Sequence, residues 1–196
     1  MFYLIVILTA DVLILLGNAL FSDAGWGASA LWTAVYTVGV IAIDGLLAWI
    51  IRWFPLPKTW FAPEARLFHT PGWERRLYRR LGLRKWKHLV PELGGFTDFH
   101  KDKLRSTSDA DYLCRFVTEN NYGTVIHLSN AAGGFVLLAL PFASRIGIAL
   151  PVALVNMVLS ILPYMILRYN TPPLYRLYRA ALKKQGTQAP DTDGCP

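Results

Sequence analysis

Four apolar stretches, each long enough to cross a lipid bilayer, constrain this chain more than any other feature of its sequence. A membrane-spanning helix needs about 20 mostly apolar residues. Only 17% of the 196 residues are charged, against about 25% in typical soluble domains. The sequence therefore predicts an all-α integral membrane protein with four transmembrane helices, at Phe2–Phe21, Ala28–Phe54, Tyr122–Ala143 and Ile146–Leu167.

Short connections join these stretches in two pairs. SDAGWG separates the first two, and the residues around Ser144 and Arg145 separate the last two. Because short loops join antiparallel neighbours, we expect two transmembrane hairpins, at 1–54 and 122–167, with a middle segment at 55–121 and a tail at 168–196. The first stretch could instead be a signal peptide, but no Lys or Arg precedes it and no clear cleavage site follows it, which favours a retained span.

Basic residues are concentrated on one side of the predicted spans. Of the 20 Lys and Arg, 14 lie from Arg52 to Arg115 and 5 from Arg168 to Lys184, which leaves Arg145 for the other side. Because basic loops stay in the cytoplasm, we expect both termini and the middle segment to be cytoplasmic. Clustered positive charge favours a membrane surface or an anionic cofactor over nucleic acid. Cys114 and Cys195 fall on the cytoplasmic side, where free thiols are expected.

The middle segment contains a predicted interfacial helix. In GWERRLYRRLGLRKWK, Trp73, Leu77 and Leu81 recur at every fourth position between arginines. An apolar stripe edged by arginine is typical of an amphipathic helix at the lipid headgroups. A second helix is expected to start near Asp109, capped by Ser108 or Asp109, and to run directly into the third span.

Polar side chains interrupt the predicted spans. Asp11 and Asp44 lie at nearly equal depth, about 15 Å from the cytoplasmic boundary. Ionisable groups inside a bilayer are functional candidates by default, although polar groups in spans often only bond neighbouring helices. Both interpretations stay open for the two aspartates, whereas helix pairing is favoured for Asn18, Asn130 and Asn156.

Glu119 and His127 combine a carboxylate with an imidazole where the third span meets water. Their spacing places them about 80° apart on one side of a helix, and such groups can activate a hydroxyl by general-base catalysis. The sequence has no Gly-rich phosphate loop, nucleophile elbow or Cys/His metal spacing. It therefore predicts no metal site, and no general catalytic motif in it indicates a particular reaction.

Three segments, in order, resemble one bacterial family. They are LRKWKHLVPELG, FVTENNYGTVIH and NMVLSILPYMILRYNTPPLYRLYRAALKK, within residues 73–184. Together they are similar to the glycosyl-4,4′-diaponeurosporenoate acyltransferase family, whose hallmarks are a K-W-K block, an E-x7-H helix and an Asn-containing span ending in R-Y-N-R-x-R-L. The matching positions are Arg84, Lys85, Trp86, Lys87, Glu119, His127, Asn156, Arg168, Tyr169, Asn170 and Leu174.

The resemblance implies transfer of a fatty acyl group from an acyl thioester to a sugar hydroxyl of a glycosylated lipid, in a bacterial inner membrane. Acyl-CoA is then a co-substrate, and no bound cofactor is implied. The hypothesis assigns proton abstraction to His127 with support from Glu119, donor phosphates to Arg84, Lys85, Lys87 and Arg168, interfacial anchoring to Trp86, and carbonyl polarisation to Asn170 or Asn156.

This chain departs from the family pattern at three positions. Thr124 replaces a second acidic residue, and Thr171 and Pro173 replace two arginines. Two alternatives to an enzyme stay open: a lipid carrier that uses Asp11, Asp44 and Asn156 to line a polar path, and a scaffold whose basic loop recruits partners. The oligomeric state is also left open.

Overall fold

The computed structural model describes residues 2–54, 57–90, 104–140 and 143–186. These residues form helices and their connections, and no strand occurs among them. Short 3₁₀ turns lie at Lys58–Phe61, Arg66–Phe68, Lys87–Leu89 and Gly134–Ala139, and a π-helical turn lies at Arg145–Ala149. The α-helices are α1 (Phe2–Phe21), α2 (Gly25–Trp53), α3 (Gly72–Arg80), α4 (Leu83–Trp86), α5 (Ala110–Gly133) and α6 (Leu150–Gln185).

Four helical segments are long and apolar enough to cross a membrane, namely Phe2–Phe21, Gly25–Trp53, Ala110–Ala139 and Arg145–Gln185. The prediction of an all-helical chain with four such segments is therefore confirmed for the described residues. The last two segments are longer than the predicted spans, because each span continues into a flanking helix. The hairpin arrangement and the cytoplasmic orientation remain predictions.

The start of α5 follows from local hydrogen bonding. Asp109 Oδ1 accepts a hydrogen bond from Tyr112 N at 3.0 Å, which satisfies one of the backbone donors that a helix start leaves open. Of the two predicted capping residues, Asp109 is thus the one that caps the helix. From Ala110 the helix runs without a break to Gly133.

The chain divides into two compact units, which are described separately. The first comprises Met1–Trp53 and Ile126–Leu162, and the second comprises Phe54–Val125 and Pro163–Pro196. The predicted division into segments 1–54, 55–121, 122–167 and 168–196 concerns position relative to the membrane and remains a prediction.

In the first unit, the burial pattern of α1 is the reverse of that in a soluble helix. Its buried residue is polar: Asn18 donates to Ser29 Oγ on α2 at 2.8 Å. Backbone and side-chain polar groups must find partners inside the protein when lipid surrounds it. The large aliphatic side chains of α1 are exposed, as lipid contact requires: Leu4, Ile5, Leu8, Val12, Leu13, Leu16 and Leu20.

In the second unit, an apolar core joins α5 to the end of α6. Leu113 and Val117 of α5 pack with Tyr178 and its neighbours on α6. The ring of Phe61 stacks on Tyr122 with 3.8 Å between centroids. Cys114 belongs to the same core and is disulfide-bonded, so the prediction of a free thiol is wrong for Cys114; Cys195 lies outside the described residues.

The predicted amphipathic helix is α3. Trp73, Leu77 and Leu81 form an exposed apolar stripe, with 62%, 43% and 49% of their surface accessible. The neighbouring side of the helix, about 100° away around its axis, buries Glu74 and Tyr78. The exposed stripe has the character expected for lipid contact, and its location at the headgroups remains a prediction.

Candidate functional site

Proline shapes the segment of α6 on which the candidate site is built. Pro172 has no N–H, so the carbonyl of Arg168, four residues earlier, loses its helical donor. Thr70 Oγ1 donates to that carbonyl instead, at 3.1 Å. Pro173 removes the helical donor of Tyr169 O in the same way. The carbonyl of Arg168 therefore takes its hydrogen bond from a residue outside α6.

Arg168 and Glu74 form a buried ion pair within the second unit. Arg168 Nε and Nη2 donate to Glu74 Oε1 and Oε2 at 2.8 and 2.6 Å. Only 7% of Arg168 and 5% of Glu74 is exposed. Tyr78 OH also donates to Glu74 Oε1, and Arg168 Nη1 reaches Leu67 O at 3.4 Å. A bidentate pair with further hydrogen bonds is the geometry in which buried charges are compensated.

The ion pair controls the ionisation of the groups around it. Burial by itself raises the pKa of Glu74, but hydrogen bonds from Arg168 and Tyr78, together with the positive charge of Arg168, bring that pKa below its ordinary value. The pKa of Tyr78 is raised by burial and by its hydrogen bond to Glu74. Glu74 is therefore a carboxylate and Tyr78 a neutral donor at neutral pH.

A second contact joins the basic block to the same turn of α6. Lys87 Nζ donates to Asn170 Oδ1 at 3.2 Å and lies 5.5 Å from the centre of the Tyr169 ring. A cation at this distance from an aromatic face is attracted to it. The structure thus brings together three predicted site residues, Lys87, Tyr169 and Asn170, from two distant segments of the chain. Their role in binding remains a prediction.

Local geometry places Lys87 for this contact. Gly82 adopts φ +63°, a conformation that residues with a Cβ rarely adopt, and so turns the chain between α3 and α4. Leu83 is completely buried and anchors the turn, while Trp86 Nε1 donates to Leu81 O at 3.0 Å. Arg84 and Lys85 are exposed on the same turn.

Two of the three positions where the chain departs from the family pattern, Thr124 and Thr171, are hydrogen-bonded to Asn120. Asn120 Nδ2 donates to Thr171 Oγ1 at 3.0 Å, and Thr124 Oγ1 donates to Asn120 O at 2.8 Å. Thr171 Oγ1 in turn donates to Leu167 O at 3.0 Å. The three side chains are buried. A neutral hydrogen-bonded network therefore occupies the positions where the family pattern has an acid and an arginine.

Glu119 and His127 both lie on α5 and are partly buried. A helix rises about 12 Å over their separation, so they are two turns apart along one helix. General-base catalysis by His127 with support from Glu119 remains a prediction.

Within the first unit, the intramembrane polar residues bond across helices. Asn156 Nδ2 on α6 donates to Asp44 Oδ1 on α2 at 3.2 Å and to Asn130 O on α5 at 3.0 Å. Thr37 Oγ1 on α2 donates to Asp11 Oδ1 on α1 at 2.7 Å. The side chains of Asp11, Asp44 and Asn156 thus each bond a second helix, whereas Asn130 takes part through its backbone carbonyl.

Asp11, Thr37 and Asn156 also line one groove. The groove encloses about 340 Å³, including its open mouth, and its other walls are aliphatic. Among the described residues, no group of three or more His, Cys, Asp or Glu is arranged to hold a metal ion.

Glu74, Tyr78 and Asn120 were not predicted as site residues from the sequence. Glu74 was a lone acid in a basic helix, with Tyr78 four residues later on the same face, which is the spacing of a contacting pair. Asn120 and Asn121 were adjacent, weak helix formers in the middle of a helix. Asn121 Nδ2 donates to Phe61 O at 2.9 Å, so both asparagines are explained by buried hydrogen bonds.

The residues of the candidate site lie within the part of the chain that one protein-family model matches. A family model described as glycosyl-4,4′-diaponeurosporenoate acyltransferase matches residues 57–180. The matched range contains the Glu74–Arg168 pair, the Lys87–Asn170 contact and the whole of α5. No curated protein sequence and no solved structure matches the chain.

Proposed function

Because the chain belongs to the glycosyl-4,4′-diaponeurosporenoate acyltransferase family, we propose that it transfers a fatty acyl group from an acyl thioester to a hydroxyl of a glycosylated membrane lipid. The match over residues 57–180 carries this proposal. A glycosylated carotenoid is the acceptor named in the family description. The chemistry requires only a lipid-linked sugar hydroxyl.

The donor is proposed to bind at Lys87 and Asn170. Asn170 accepts from Lys87 through Oδ1, so its Nδ2 is the end of the amide that donates to an acyl carbonyl. An amide donor of this kind stabilises the charge that develops on the carbonyl oxygen. Lys87, with the exposed Arg84 and Lys85, supplies positive charge for the phosphates of acyl-CoA.

The proposed reaction is a direct acyl transfer. His127 accepts the proton of the acceptor hydroxyl, and the hydroxyl oxygen attacks the thioester carbonyl carbon. The tetrahedral oxyanion then collapses, the C–S bond breaks, and the departing thiolate takes the proton from the imidazolium. Glu119 is proposed to support this step from the same helix, α5.

The membrane arrangement supports a lipid acceptor. In this proposal, two hairpins hold the chain in a bacterial inner membrane, and both termini and the middle segment face the cytoplasm, where acyl thioesters are available. The distribution of basic residues supports this orientation. The exposed stripe of Trp73, Leu77 and Leu81, flanked by arginines, is proposed to lie among the headgroups, with Trp86 as a further anchor.

The first test is transfer of label from radioactive acyl-CoA to a bacterial glycolipid extract by the purified protein in lipid. Wild type is compared with His127→Gln and with His69→Gln, a control that removes an exposed histidine. The proposal expects a labelled lipid from wild type and from the control, and a loss of at least about 10²-fold with His127→Gln.

Two results would change the proposal in different ways. Equal product from wild type and His127→Gln would remove His127 from the mechanism and keep the reaction. A lack of product from wild type, over a range of acyl thioesters and extracts, would reject acyl transfer.

Lipid carriage is the second candidate, favoured by the groove that Asp11, Thr37 and Asn156 line. Asp11→Asn separates the two candidates, because the proposed acyl transfer uses no carboxylate in the groove. Carriage predicts that Asp11→Asn abolishes movement of a fluorescent lipid across vesicles while His127→Gln does not. Acyl transfer predicts the reverse pattern in the labelling assay.

A further inference from the structure

We propose that Glu74 is a positioning residue: it holds Arg168 so that the adjoining Tyr169 and Asn170 are presented to Lys87. This inference rests on the proposed function and assigns Arg168 a role different from the one that the family resemblance implies. Arg168 then organises the donor site without contacting the donor.

The guanidinium of Arg168 is committed to other partners. Nε and Nη2 are both bonded to Glu74, and Nη1 is directed at Leu67 O. With 7% of its surface exposed, Arg168 has little area to offer to a phosphate. Binding of a donor phosphate would require the Glu74 carboxylate to give up its cation while buried, which is strongly unfavourable.

The same bonds determine where the next two residues lie. Glu74 bonds the Arg168 side chain, and Thr70 bonds the Arg168 carbonyl that Pro172 leaves open. Arg168 is therefore tied by side chain and by backbone to the segment just before and within α3. Tyr169 and Asn170 follow directly in the chain, so their direction toward Lys87 depends on these ties.

Tyr78 completes the arrangement around Glu74. Its hydroxyl donates to the same Oε1 that Arg168 Nε contacts. Both oxygens of the Glu74 carboxylate thus have hydrogen-bond partners, which restricts rotation of the carboxylate. A rigid carboxylate transmits its position to Arg168, as the supporting residues of a binding site generally must.

The test measures the reactivity of Lys87 toward acetic anhydride by mass spectrometry, in folded protein in detergent. Glu74→Gln removes the negative charge with little change in shape. Exposed Lys85, two residues away, serves as the internal reference. Glu64→Gln is the matched control, since Glu64 is another carboxylate of the second unit, with Oε1 buried and without a hydrogen-bond partner among the described residues.

We expect Glu74→Gln to raise the reactivity of Lys87 relative to Lys85 by about tenfold, the protection that one hydrogen bond to a charged group provides. Tyr78→Phe should give a smaller rise, and Glu64→Gln none. An unchanged ratio in folded Glu74→Gln overturns the inference. If Glu74→Gln does not fold, Tyr78→Phe decides the outcome, and a ratio equal to that of wild type rejects the proposal.

Activity provides the second readout. Glu74→Gln should raise the KM for the acyl donor by about tenfold with a smaller effect on kcat, and the double variant Glu74→Gln/Lys87→Gln should be no worse than Lys87→Gln alone. If the double variant raises KM by the product of the two single effects, Glu74 does not act through Lys87 and the proposal is contradicted. The acetylation ratio needs no turnover, so a changed ratio without acyl transfer by wild type rejects the proposed function and retains the positioning role.

Discussion

The side chains of Lys87 and Asn170, 83 positions apart in the chain, are joined by a hydrogen bond of 3.2 Å from Nζ to Oδ1. The contact combines a partly buried cation with an amide whose other end is a donor. Such a pair suits a ligand that carries both phosphate and a carbonyl. Its proposed role as the donor site leads to the first prediction.

Lys87→Gln should weaken binding of acyl-CoA more than binding of acyl-pantetheine, which lacks the nucleotide phosphates. A charge-assisted hydrogen bond is worth about 1.5–3 kcal/mol, so we expect the KM for acyl-CoA to rise by about 10-fold or more and the KM for acyl-pantetheine to change little. Steady-state kinetics with both donors measure this. Lys183→Gln, an exposed lysine near the end of α6, is the control, and equal losses with both donors would contradict phosphate binding by Lys87.

The stability of the protein should fall at acid pH in a way that depends on Glu74. Its pKa is lowered on folding from an ordinary value of 4.5, so its contribution to stability is fully present above that value and is lost as pH falls through the folded-state pKa. Melting temperatures of the detergent-solubilised protein from pH 7 to pH 3 measure this. Wild type should lose more stability over that range than Glu74→Gln, and parallel curves would contradict the prediction.

Gly133→Ala should destabilise the first unit by about 1 kcal/mol, the low end of the cost of overpacking. A Cβ atom there would stand 2.6 Å from Leu47 Cδ1 and 3.2 Å from Ile43 Cγ2 on α2, and the flexible Leu47 side chain can relieve part of the clash. Gly45→Ala is the matched control on α2, because its Cβ would meet no atom within 4 Å. Chemical denaturation in detergent should show a loss for Gly133→Ala alone. A similar midpoint for both variants would show that α2 and α5 are not in close contact at Gly133.

Gly82→Ala should cost about 1–2 kcal/mol, because the alanine must adopt the left-handed conformation with φ +63°. Space is not the limit, since the nearest atom to the added Cβ is Lys85 Cδ at 4.0 Å. Gly72→Ala, at the start of α3 and also in open space, should be neutral or slightly stabilising. Thermal denaturation of both variants checks this, and an equal effect of the two substitutions would exclude a conformational origin.

Lengths of apolar sequence were sufficient to predict the four membrane-crossing helices. A bilayer requires about 20 apolar residues and satisfied backbone groups, and both requirements can be read locally. The cap at Asp109 was predictable for the same reason, because a cap bonds residues close to it in the chain. The continuation of α6 to Gln185 was not predicted, because its last turns are buried by contacts with residues of α5 that are distant in the chain.

The order of short motifs was likewise sufficient to identify the family and to name Lys87, Tyr169 and Asn170. It did not reveal that Arg168 is paired with Glu74, 94 positions away. A sequence shows that a charge is present, but its burial and its partner depend on which helix faces meet. For that reason the sequence by itself determined an all-helical membrane protein of this family, and only the tertiary structure decided that Lys87 contacts Asn170 while Arg168 is held by Glu74.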